Sequence, residues 1–257
     1  MLFDGIDRWH VLLLVSVYFV SYFIKGAIGT GNLAMMVLLG ALILEPHHAV
    51  VLALGVTCFA QLQFLKEGLR YTDWSITRPV ILTTYTGVAL GVWIFGNLDR
   101  TWLSIVLGGS LGILIFADMT KLMAKFASKV DFRRRSILYP ATTVFGFISG
   151  VSGAGTLTSV AFYIKQISPN ARTLRGTILM LGIIFAFWRL TLMWIAGFLT
   201  ISVAIEVVIL LPPMILFGYL GTKCFHLISD KRYYQIFQTV LFCLAMTLVV
   251  KGLIKVS

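Results

Sequence analysis

The chain has 257 residues, 59% of them hydrophobic and 12% charged, with 21 Lys+Arg against 10 Asp+Glu and a formal net charge of +11. A mean hydropathy of +0.94 excludes a soluble domain, because no core of this size hides so much apolar side chain. In a soluble protein the basic surplus would point to nucleic acid. Here it collects in loops between apolar segments, where it sets topology and meets anionic lipid, and nucleic acid is not an expected partner.

Asp4, Asp7 and Arg8 precede the first apolar run with no basic n-region and no small-residue cleavage site, so that run reads as part of the mature fold. Apolar segments follow at His10–Leu44, Ala49–Leu65, Pro79–Gly96, Trp102–Leu122, Ile137–Ile167, Leu174–Leu199, Ile201–Thr222 and Tyr234–Leu253. Six have roughly the length of one membrane span, about 20 residues. His10–Leu44 and Ile137–Ile167 are too long for one span and too short for two with a turn, and each carries a glycine cluster in its interior. Both are expected to be broken or re-entrant helical hairpins, built either from one longer and one shorter helix or from two half-helices meeting at depth.

Loop charge orients the spans. Lys121, Lys125, Lys129, Arg133, Arg134 and Arg135 face only Asp131 in one short stretch, which is therefore expected in the cytoplasm. The Lys66–Arg78, Lys165–Arg175 and Lys223–Arg232 loops then also fall inside, and the turns at 45–48, 97–100 and 199–200 fall outside. Both termini come out external, with Lys251 and Lys255 as the exception to the rule. The expected fold is an all-α polytopic membrane protein of two inverted-topology repeats, 1–122 and 137–257, each a hairpin plus three spans, joined by a basic linker at 123–136. Gly96–Trp102 resembles Leu227–Tyr233, and ahead of those stretches Gly91 pairs with Gly221.

The candidate site lies in the two glycine runs. Lys25-Gly26-Ala27-Ile28-Gly29-Thr30-Gly31-Asn32 matches Ser149-Gly150-Val151-Ser152-Gly153-Ala154-Gly155-Thr156, displaced by 124 positions with the glycines in register. Glycines let backbone amides converge, and the half-helix that follows turns its positive end toward the gap, which favours a bound anion. Thr30, Asn32, Ser149, Ser152 and Thr156 can add hydrogen bonds to anion oxygens. The competing reading is close helix packing of the small-xxx-small kind.

Lys25, at about 2.5–3.5 kcal/mol for a lysine at a bilayer centre, either neutralises an anionic substrate or snorkels to the cytoplasmic interface. Arg189 and Glu206 flank the Leu199–Thr200 turn at depths differing by about 6 Å at 1.5 Å per residue. They read as a structural ion pair, or as a second substrate clamp (Arg189) and a proton-coupling site (Glu206). Gln61 could face the cavity, or with Gln63 serve as interhelical glue. Asp118 reads as an interfacial ion-pair member near Lys121, and His47 and His48 as residues of an external turn behind Pro46. Trp9, Trp74, Trp102, Tyr233 and Tyr234 mark segment ends as an interfacial belt. Cys58, Cys224 and Cys243 lack paired spacing and read as packing residues. With no metal spacing, phosphate loop or nucleophile elbow, no catalytic residues, metal or cofactor are expected.

The glycine-rich run after the first apolar helix, the turn with Pro46 and Ala49, the Gly87–Gly91 pair and the repeat of the whole pattern resemble the TauE/SafE (TSUP) sulfite exporter family, from about residue 10 to 253. The resemblance implies a carrier in a bacterial-type inner membrane for sulfite, sulfonates or related organic anions, coupled to H+ or Na+. The chain departs from the family pattern at Gly29-Thr30-Gly31-Asn32, where three consecutive glycines and a later proline are usual, and Met35 and Met36 occupy the proline region. Two other classes compete with a carrier. A membrane-embedded enzyme or assembly subunit would show carboxylates or histidines clustered at one interface, and in a passive anion channel both glycine runs would line a continuous pore.

Overall fold

The computed structural model describes residues 7–28, 32–122, 125, 134–153, 164, 171–223 and 231–256, and among these every regular element is a helix. In chain order they are α1 (Arg8–Ile28), α2 (Asn32–Ile43), α3 (Pro46–Ala60), a 3₁₀ turn (Gln61–Phe64), α4 (Leu65–Tyr71), α5 (Trp74–Asn97), α6 (Arg100–Met119), α7 (Arg135–Ser152), α8 (Ala171–Ile195), α9 (Ile201–Lys223) and α10 (Lys231–Val256). Seven stretches are long and apolar enough to cross a membrane, counting Pro46–Tyr71 as one, whereas α2, at 12 residues, is not.

The helix starts follow from their flanking residues. Pro46 opens α3 at a position where its missing N–H costs nothing. Asp73 caps α5 by accepting from the Ser75 N–H (3.0 Å), and Asp99 caps α6 by accepting from the Trp102 N–H (2.7 Å). Gly153 ends α7 in the left-handed region at φ 86°, its N–H donating to the Ser149 carbonyl (2.9 Å).

The first hairpin pairs a longer helix with a shorter one, α1 with α2. At 1.5 Å per residue α2 rises about 18 Å, too short to cross an apolar layer about 30 Å thick. The return arm of the second hairpin falls outside the described residues. One boundary differs from the apolar pattern: the span expected to stop at Leu65 continues as helix through the 3₁₀ turn to Tyr71. Apolarity ended at the lipid boundary, but backbone hydrogen bonding did not.

The ends of the bundle are fixed by polar contacts. At one end Arg100 Nε lies 2.6 Å from Glu45 Oε1, and His47 donates to the Phe95 carbonyl (3.2 Å) and stacks on Phe198. There too, Lys251 Nζ donates to the Leu42 carbonyl (2.9 Å) at the end of α2. At the other end Arg175 Nε meets Glu67 Oε1 (3.0 Å), and the Asp73 N–H donates to Thr177 Oγ1 (3.1 Å). Asp118, read from sequence as an ion-pair member, accepts from Gln238 Nε2 (2.6 Å) across α6 and α10.

Three long helix pairs dominate the packing: α5 with α7, α6 with α10, and α1 with α9. Glycines bring the first and third into backbone contact. A Cβ on Gly91 would strike the Phe147 carbonyl and Gly150, and one on Gly221 would strike the Phe23 carbonyl. Phe147 follows Phe23 by the same 124 positions that separate the glycine runs. Helices α1 and α7 each dock on a helix from the other half of the chain, an exchange compatible with two inverted repeats. Leu82, Trp93, Ile113, Val208 and Leu216 point outward, as lipid-facing side chains do.

Candidate functional site

Helix α8 runs antiparallel to α3 and α4. Phe187 meets Phe59 with ring centroids 6.0 Å apart, Met180 covers Gly68, and Gly176 lies against Tyr71. That register sets Arg189 about level with Cys58, halfway along the 26-residue stretch Pro46–Tyr71. Arg189 is 3% exposed, and among the described residues Nε, Nη1 and Nη2 have no hydrogen-bond partner. A guanidinium carries five donors in a planar fork, and leaving it unpaired in an apolar interior costs several kcal/mol. Trp188, next along the helix, stacks on Tyr85 (4.6 Å) and donates from Nε1 to the Tyr85 carbonyl (3.3 Å), which fixes the rotation of α8.

That rotation aims Arg189 at the second glycine run. A Cβ on Gly153 would lie 2.7 Å from Nη1, so the guanidinium occupies the space a side chain would need. Two residues that the sequence singled out separately, Gly153 and Arg189, thus meet at mid-depth. Ser152 is fully buried and donates to the Ile148 carbonyl (2.8 Å), while Gly150 is committed to packing on Gly91 and the Val88 carbonyl. Packing and site therefore divide one run between them, Gly150 serving the first and Gly153 lying in the second. Gly155 and Thr156 lie outside the described residues.

In the first run Gly29, Thr30 and Gly31 also lie outside the described residues; Gly26 belongs to α1 and Asn32 opens α2. Lys25 does not snorkel. Its Nζ is closed off from the surface without a hydrogen-bond partner among the described residues, 5.3 Å from the Tyr22 ring centre and 6.0 Å from that of Phe64. Phe64 is six residues beyond Cys58, which places Lys25 about 9 Å from the Arg189 level toward the α4 end. Gln61 stands between these levels in the 3₁₀ turn, half-buried, its backbone N–H closing the end of α3. Gln63 turns its amide onto the Ala60 carbonyl (2.9 Å).

Glu206 does not pair with Arg189. It is fully buried, and Oε2 shares a 2.5 Å hydrogen bond with Nε2 of His48, whose side chain is itself only 9% exposed. Depth along the chain made Arg189 and Glu206 neighbours, but the direction each faces around its helix axis separates them. His48 was missed because it follows a turn. The available signal was Pro46, which starts a helix and puts His48 on the buried stripe with Leu52 and Gly55.

Two buried cations, one at mid-depth against a glycine and one about two turns away, can hold an oxyanion by charge and hydrogen bonding. Groups of three or more His, Cys, Asp or Glu at metal-binding distance are absent among the described residues. No curated protein and no solved structure matches the chain. A family model, that of the sulfite exporter TauE/SafE, matches residues 13–248, from α1 to α10. The chain belongs to this family of membrane transporters and is a multi-pass integral membrane protein.

Proposed function

We propose that this protein is an alternating-access carrier for a small oxyanion, sulfite or a sulfonate, bound at mid-membrane by Arg189 against Gly153. The observation that carries the reading is the Arg189 guanidinium, buried at the middle of the bundle with all its donors unmatched among the described residues. A bound sulfur oxyanion would supply both the missing negative charge and a pair of acceptor oxygens for the guanidinium fork. From the sequence pattern we assign Ser152, Gly155 and Thr156 to the same site, together with Lys25, Gly26, Gly29, Thr30, Gly31 and Asn32 of the first glycine run and Gln61. Two inverted halves, 1–122 and 137–257, would rock about this centre in a bacterial-type inner membrane with both termini outside.

Counterflow exchange in proteoliposomes tests the reading, with labelled sulfite, thiosulfate, methanesulfonate and short carboxylates as probes. Saturable, trans-stimulated exchange of a sulfur oxyanion is expected, reduced at least about a hundredfold in Arg189→Gln, the range for losing a bidentate charged contact. Gly153→Leu and Gly29→Leu should abolish exchange in folded protein. Full exchange by these variants removes the site; unsaturable flux without trans-stimulation replaces the carrier with a channel.

A further inference from the structure

Residues 42–48 join α2 to α3 at the end of the bundle that loop charge assigns to the outside. By packing, α1, α2, α3 and α9 form one group and α5, α6, α7 and α10 another, with α8 touching both. Three polar contacts join the first group to the second, and all three start in this short segment. Lys251 Nζ of α10 donates to the Leu42 carbonyl (2.9 Å), and Arg100 Nε of α6 lies 2.6 Å from Glu45 Oε1. His47 Nε2 donates to the Phe95 carbonyl of α5 (3.2 Å).

These contacts differ in strength. The Arg100 side chain is 75% exposed, so water and salt screen its pair with Glu45 and leave it little holding power. Lys251 is half-buried and meets the C-terminal end of α2, where the helix dipole favours an ammonium in addition to the hydrogen bond. The His47 side chain is 15% exposed. Its ring stacks on Phe198 at 5.4 Å and meets the edge of Phe95 at 4.9 Å. Phe198 belongs to the turn between α8 and α9, and its ring also lies where a Cβ on Gly96 would come within 3.2 Å. Lys251, His47 and Phe198 therefore hold this end closed, with Arg100 at the rim.

Helix α2 connects this segment to the first glycine run, since Asn32 ends the run and opens the helix. Beyond Asn32 every side chain of α2 is apolar. Apolar burial is non-directional, so it selects the face α2 presents without selecting one position along its axis. The Lys251 bond to the Leu42 carbonyl supplies that direction from one end. Near the turn Gly40 lies so close to Ala49 that an added Cβ would stand 3.3 Å from the Ala49 Cβ, which ties the end of α2 to the start of α3.

We propose that residues 42–48 form the gate at this end of the carrier, latched by Lys251 and His47 and linked to the anion site by α2. The inference rests on the carrier reading and adds which segment opens and what holds it shut. Opening breaks the Lys251–Leu42 and His47–Phe95 hydrogen bonds and withdraws the His47 ring from Phe198. An anion held at the first glycine run biases the gate through α2, by favouring one position of that helix over the other.

The test uses the full-length protein, with its native cysteines replaced, in proteoliposomes, and counterflow of labelled sulfite reads the carrier. Leu42→Cys with Lys251→Cys, joined by a short bis-methanethiosulfonate reagent, staples the gate. Exchange should stop on stapling and return when the staple is reduced, whereas the same pair blocked singly with methyl methanethiosulfonate should keep exchanging. A second readout is Val50→Cys, at a fully buried position two residues beyond the segment. An impermeant thiol reagent is added on the side where Asn97→Cys reacts. Lys251→Met should speed the Val50→Cys reaction at least about tenfold, the size expected for losing one charge-assisted hydrogen bond from the closed state. Full exchange through the stapled pair overturns the inference, and so does an unchanged Val50→Cys reaction in Lys251→Met. Absence of saturable exchange before stapling removes the carrier reading itself, and the inference with it.

Discussion

Arg189 is a residue whose cost is visible without its ligand. A charged side chain at the centre of a membrane helix is unfavourable by about 2.5–3.5 kcal/mol on insertion scales. Arg189→Met should therefore raise the thermal midpoint of the detergent-solubilised protein while abolishing the stabilisation that added sulfite gives the wild type. A midpoint lowered in the variant would mean that the guanidinium is paired in the resting protein. Gly153→Ala is expected to act oppositely. It places a side chain in the left-handed region, at about 1–2 kcal/mol, and pushes it toward a guanidinium 2.7 Å away. Both unfolding and anion affinity should suffer, as read by thermal melts with and without sulfite. The types of these residues were legible in the sequence, since an arginine inside an apolar segment and a duplicated glycine both ask for a reason. Their partners were not. Each residue along a helix rotates the side chain by a large angle, so equal depth made Arg189 and Glu206 look paired although one faces Gly153 and the other His48.

At the scale of the element, glycine does two different jobs that the sequence writes identically. Gly108 and Gly109 are adjacent in α6, yet a Cβ on Gly108 would lie 2.6 Å from the Ala245 carbonyl of α10, and one on Gly109 would meet nothing within 4 Å. Gly108→Ala should thus pry α6 from α10 and destabilise by about 1–3 kcal/mol, the usual toll of overpacking. Gly109→Ala should be neutral or stabilise by up to about 1 kcal/mol through helix propensity. Chemical unfolding of the two variants side by side checks the contrast, and equal effects would contradict the α6–α10 interface. Element existence was read well because long apolar segments announce themselves. The end of the second span, Pro46–Tyr71, was not, because hydropathy reports contact with lipid, whereas α4 is held beyond that boundary by its own backbone and by the Glu67–Arg175 pair.

For the whole molecule, orientation is the property most open to test. Asn97 and Arg135 are both exposed and lie at opposite ends of the bundle, at the end of α5 and the start of α7. In a variant lacking the native cysteines, Asn97→Cys should react with an impermeant thiol reagent from outside and Arg135→Cys only after the membrane is opened. The reverse pattern would invert the assignment from loop charge. The lysine that stands against the loop-charge rule, Lys251, donates to the Leu42 carbonyl at the negative end of α2. The all-helical membrane architecture was legible because long apolar segments are separated by charged loops. The docking of helices from different halves of the chain was not, because no local pattern records which distant backbone a glycine is meant to touch.

That cross-docking also imposes an order on how the protein comes into being. The surface of α1 around Phe23 receives its cover from Gly221, which is translated nearly 200 residues later. A nascent chain that has inserted its first five helices therefore holds a glycine-matched groove with nothing in it. It must be shielded by lipid or by the insertion machinery until α9 arrives. Helix α9 acts as the closing piece, so a chain truncated before it is left open at its first helix rather than merely shortened at its end.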